Sequence, residues 1–132
     1  MLKWALIFLV VIYGGDKAYE WFCSPRYVEF IESHKADSWV PSLCLKSGIY
    51  WTFFADWNKA LIFFERCSKE DMKKAPERSM CLYYRAWSHD EARHRNEAID
   101  AYGLFLEEFP KHRKTAVARR RLDVLKAGWS AL

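Results

Sequence analysis

The chain echoes itself at an offset of 38 residues. Asn58-Lys59-Ala60-Leu61 recurs as Asn96-Glu97-Ala98-Ile99, Phe64 recurs as Tyr102, and Gly48 recurs as Ala86. In both copies an aromatic follows a small residue by four positions, which places the two on one helical face. The small residue lets a neighbouring backbone approach, and the aromatic fills the wedge beside it. That pattern belongs to a helical hairpin that buries its apolar face by stacking on its own copy. Five Gly and four Pro in 132 residues leave little turn chemistry for a multi-stranded sheet, and 52% apolar residues are enough for a buried core. The expected fold is all-α: a short right-handed stack of antiparallel helix hairpins with an N-terminal hydrophobic helix. Such stacks mostly hold other proteins rather than perform chemistry.

Local signals predict where the helices run. Pro25 opens a helix over 26–34, because a first-turn Pro loses no hydrogen bond. Pro41 opens a second, to about Phe54. Asp56 caps a third over 57–67. Residues 68–78 are charged, contain Pro76 and form the long loop. A helix over 79–88 follows, then a polar joint over 89–95. Asn96 caps a helix to Glu108, Phe109-Pro110 stops it, and the last helix covers 113–127 before Gly128.

These residues resemble the tetratricopeptide repeat family. Its 34-residue unit favours small residues within each helix, an aromatic in the second helix and a closing Pro. Ala86, Ala98, Tyr102 and Pro110 fall at those places in the unit from Ser79, and Gly48, Ala60 and Phe64 in the unit from Pro41. The resemblance covers 41 to about 112, with 113–127 as a capping helix. It implies two stacked hairpins with a partner-binding concave side. The chain departs from the pattern in about four extra residues before Ser79, and in Arg85 and His89, which stand where large apolar residues are usual.

The N-terminal segment reads separately. Trp4, Leu6, Ile7, Phe8, Leu9, Val10, Val11, Ile12 and Tyr13 form an apolar run with Lys3 as its only charge, closed by Gly14-Gly15-Asp16-Lys17. A bilayer crossing takes about 20 apolar residues, and a shorter run often marks an export signal. The cleavage chemistry is poor: Tyr13 or Asp16 would occupy a small-residue slot. The leading expectation is a short single-pass membrane anchor over 1–22, contacting lipid and extended by interfacial aromatics. The helical domain over 23–132 then lies on the periplasmic or extracytoplasmic side. A cleaved signal and a buried helix are the alternatives.

Chemistry-bearing motifs are sparse. Cys23, Cys44, Cys67 and Cys81 include no Cys-x-x-Cys. Cys67 and Cys81 flank the long loop on helices expected to be antiparallel neighbours. They are either a disulfide or two small core residues. In His89-Asp-Glu-Ala-Arg-His94, a spacing of five does not put both rings on one helix face, so a solvated joint is expected rather than a metal site. No nucleophile–base–acid set or Gly-rich phosphate loop is present, and neither an enzyme nor a cofactor is expected.

Charge concentrates near the C-terminus. Lys111, Arg113, Lys114, Arg119, Arg120, Arg121 and Lys126 face only Asp123, which makes that segment +6 in a chain of +4. Ala118, Leu122, Leu125 and Trp129 share the opposite stripe. A solvated face, an acidic protein or anionic headgroups account for this better than nucleic acid, since aromatics are not interleaved as in single-strand binders. Seven Trp is a heavy load, and Trp39, Trp51, Trp57 and Trp87 join Arg113, Lys114, Arg119, Arg120 and Arg121 as partner-binding candidates.

The expected function is a scaffold or accessory subunit of a membrane assembly. The alternatives are a soluble periplasmic adaptor and, from another class, a nucleic-acid module using the last helix.

Overall fold

The computed structural model describes residues 2–128 and is all-helical among them. The order is α1 (Leu2–Phe22), α2 (Pro25–Ser33), α3 (Val40–Thr52), α4 (Trp57–Cys67), α5 (Arg78–Glu91), α6 (Arg95–Glu108) and α7 (Thr115–Ala127), with a 3-10 turn at Glu70–Met72. The chain divides into two units, Met1–Asp37 and Ser38–Leu132. Trp129 lies outside the described residues, as do the side chains of Trp4, Leu6, Phe8, Leu9 and Val10.

The first unit corrects the expectation of a single-pass anchor. No helix among the described residues is long and apolar enough to cross a membrane. The helix α1 has 21 residues, but its apolar run ends at Tyr13. The turns that follow carry Asp16, Lys17 and Glu20, with Lys17 paired to Glu20 at 3.1 Å. A stretch of spanning length therefore takes charges into the hydrocarbon. Ile7, Val11, Ile12 and Tyr13 are exposed. Pro25 starts α2 behind Ser24, and Trp21 packs edge-on to Tyr27 and Phe30 at 5.0 and 5.4 Å between ring centroids.

In the second unit the 38-residue offset governs the helices themselves. The helices α3 and α5 begin at Val40 and Arg78, and α4 and α6 at Trp57 and Arg95. The turns repeat as well. Ala55 and Arg93 both take positive φ, 53° and 66°. Behind each, the chain closes twice. Asp56 and Ala55 donate their N–H groups to the carbonyls of Trp51 and Thr52, and His94 and Arg93 donate theirs to His89 and Asp90. This is the Schellman closure, in which one left-handed residue satisfies two orphan carbonyls at a helix end. Because of it α5 runs to Glu91, and His89 lies in the helix rather than in a loose joint. The N-cap of α6 is His94, not Asn96. The matching residue Asp56 caps α4 through its carboxylate, which accepts the Lys59 N–H at 3.1 Å.

Packing follows the small–aromatic pattern. Ala60, Ala86, Ala98 and Phe64 are fully buried and Tyr102 nearly so. Gly48 faces the Phe64 ring so closely that a methyl group has no room. Phe64 in turn stacks on Tyr84, 5.4 Å between centroids and 14° from parallel. Cys67 and Cys81 form a disulfide, Cα–Cα 5.9 Å, between α4 and α5. Arg78, only 3% exposed, ties the loop before α5 to α6. Its guanidinium donates to both carboxylate oxygens of Glu108 at 2.8 and 2.9 Å, and to the carbonyls of Ser68 and Lys69 at 2.7 and 2.9 Å. Ala118, Leu122 and Leu125 of α7 complete the core. Arg95 donates to the Leu125 carbonyl at 2.8 Å, satisfying one of the last acceptors of that helix. Pro110 is exposed in the turn after α6.

Candidate functional site: a groove between α5 and α7

A groove of about 590 Å³ runs between α5 and α7. Helix periodicity builds its walls. Tyr83, Trp87 and Asp90–Glu91 recur at three- and four-residue steps along one face of α5. Val117, Arg120–Arg121 and Val124 do the same on α7. Tyr102 of α6 forms the floor.

An ion pair between a buried carboxylate and a half-buried guanidinium closes the base of the groove. Asp90 is 5% exposed and accepts two bonds from Arg121, to Oδ1 at 2.9 Å and to Oδ2. The Tyr102 hydroxyl donates to Asp90 Oδ2 at 3.4 Å. Burial, reinforced by the Asp90 carboxylate, pushes the Tyr102 phenol far above its ordinary range. The hydrogen bond to Asp90 likewise raises Arg121. Burial raises Tyr83, whose ring lies under Lys114 Nζ at 5.4 Å from the centroid. Both phenols therefore stay protonated at neutral pH. The groove offers aromatic faces, two valines and an exposed guanidinium on Arg120.

The partner-binding candidates scatter. Trp87, Arg120 and Arg121 meet in the groove. Trp57 packs edge-on to Trp87, 5.2 Å between centroids, and so braces it. Trp51 is buried under Lys59, whose Nζ stands 4.4 Å from its ring, and belongs to the core. Trp39 is exposed, as are Arg113 and Arg119. With Arg121 spent on Asp90, the basic helix is not a continuous cationic stripe.

Sequence reasoning placed Asp90 in a solvated joint and so missed the carboxylate at the base of the groove. It also missed the meeting of His89 and His94. Their Nδ1 atoms are 3.3 Å apart, and His89 Nε2 is 3.5 Å from Glu65 Oε1. The Schellman turn, not a helix face, brings the rings together. Burial holds the His89 imidazole below its ordinary value; Arg85 and His94 push the same way, while Glu65 and Glu97 oppose it. Among the described residues, no group of three His, Cys, Asp or Glu side chains could hold a metal ion.

Neither a protein-family model, nor a curated protein, nor a solved structure matches this chain.

Proposed function

We propose that the unit from Ser38 is a tetratricopeptide-like stack that binds a segment of a partner protein in the α5–α7 groove. The observation that carries this reading is the groove itself. The rings of Tyr83, Trp87 and Tyr102 and the side chains of Val117 and Val124 surround the Asp90–Arg121 ion pair, with Arg120 at the rim. Apolar pockets with a few convergent polar groups are the usual form of recognition sites. Helices starting at matched positions and two identical turns support the family resemblance, while the 38-residue spacing departs from the family's 34.

The test is selection of random displayed peptides on the full chain, followed by calorimetry with the selected sequences. Trp87→Ala should weaken binding at least tenfold, the loss expected of an aromatic anchor worth about 1.4 kcal/mol or more. Ile62→Asp, an exposed position on α4, should leave binding unchanged. Selected peptides indifferent to Trp87→Ala would remove the groove from the proposal.

A second reading, an exported adaptor, is favoured by the Cys67–Cys81 disulfide, because such bonds persist in oxidising compartments. Thiol trapping in native cells tests it: Cys67 and Cys81 blocked as reduced thiols would set it aside.

A further inference from the structure

The turn joining α5 to α6 holds two imidazoles where this type of turn ordinarily holds two apolar side chains. In a Schellman closure, the third residue from the helix end and the residue after the left-handed one are pressed together. Those positions are Trp51 and Asp56 in the first hairpin, and His89 and His94 in the second. The backbone there is pinned by the His94 N–H to the His89 carbonyl at 2.9 Å and by the Arg93 N–H to the Asp90 carbonyl at 3.1 Å. The two rings are thus held on a rigid frame.

Their geometry suits an ion. Two nitrogens at about 2.0–2.1 Å from a tetrahedral zinc stand roughly 3.3–3.4 Å apart, and the two Nδ1 atoms here are separated by 3.3 Å. The other nitrogen of His89 faces Glu65 on α4 at 3.5 Å. A metal-binding histidine almost always presents its second nitrogen to such a group, which sets the tautomer and leaves the lone pair on the ligating side. Glu65 and Glu97 favour a cation at His89, while burial, Arg85 and His94 oppose one, so the two carboxylates offset part of the cost of placing charge there. His94 is exposed, so the remaining coordination positions open to water.

We propose that His89 and His94 form a two-nitrogen site for a divalent d-block cation of the zinc type, with Glu65 as the positioning carboxylate. The proposal is independent of the groove. With two protein ligands the ion is exchangeable, and it clips the end of α5 to the start of α6.

The experiment is calorimetric titration of the chelator-treated full chain with zinc chloride, paired with thermal melts with and without zinc. The expected result is one zinc per chain and a higher Tm with zinc. His94→Ala, at an exposed position that leaves the fold intact by circular dichroism, should abolish both effects. Glu65→Gln should weaken binding about tenfold or more. Cys23→Ser, which removes the exposed thiol, should change neither. No heat at millimolar zinc, or binding that survives His94→Ala, overturns the proposal; full affinity in Glu65→Gln overturns the role of the carboxylate.

Discussion

Replacing Gly48 by alanine tests the packing principle of the stack directly. A Cβ built on Gly48 stands 2.7 Å from Cδ1 and Cζ of Phe64, and closer still to Cε1. Carbon atoms in comfortable contact are about 3.5–4.0 Å apart, so ring or backbone must yield by roughly an ångström. Phe64 has nowhere to go: it is fully buried and stacked on Tyr84. Overpacking of this kind costs about 1–3 kcal/mol. Against it stands the gain of about 0.8–1 kcal/mol that alanine brings over glycine in a helix. Gly103, in α6, isolates that gain, because a Cβ there meets nothing within 4 Å. Gly103→Ala should therefore be stabilised by about 1 kcal/mol, and Gly48→Ala should fall below it by about 1–3 kcal/mol. Urea unfolding with unchanged m-values reads both. In the double variant Gly48→Ala/Phe64→Leu, the room made by the smaller side chain should appear as a coupling of about 0.5–3 kcal/mol. If Gly48→Ala gains as much as Gly103→Ala, the close approach of α3 and α4 is refuted.

Further expectations concern charge, covalent closure and pH. Arg78→Met should cost about 3–5 kcal/mol, because it strands Glu108 and two carbonyls beside a buried position; Arg78→Met/Glu108→Leu should recover part of that loss in the same unfolding assay. Reducing the Cys67–Cys81 bond, which spans 14 residues, should cost about 3 kcal/mol and lower Tm; an unchanged Tm under denaturing reductant would contradict its contribution. Burial, with Arg113 and Lys114, holds His112 below its ordinary value, and its Nδ1 accepts the Lys114 N–H at 3.1 Å. The unfolded chain therefore binds the proton more readily. This contribution is complete above the unfolded pKa near 6.5 and is lost as pH falls through the lower folded value. His112→Asn should flatten the acid side of a stability–pH profile; a profile identical to the parent would discard the assignment.

The sequence alone determined the helical class, the 38-residue repeat and most helix starts. Proline, the Asp56 cap and the small–aromatic spacing act within a few residues of chain, where composition alone decides geometry. It also carried the apolar run to Tyr13, but the charges beyond that run, on the same helix, decide against a membrane crossing. What lies 30 residues apart was not legible. Nothing in the pattern around Arg78 names Glu108, and nothing around Asp90 names Arg121, since each pair meets only when α6 or α7 folds back on α5. The His89–His94 apposition fell between the two cases. Five residues is a local spacing, yet the rings meet because Arg93 takes a left-handed backbone that its residue type does not announce. The tertiary structure alone decided the groove, because a cavity belongs to the distance between two helices and not to either of them.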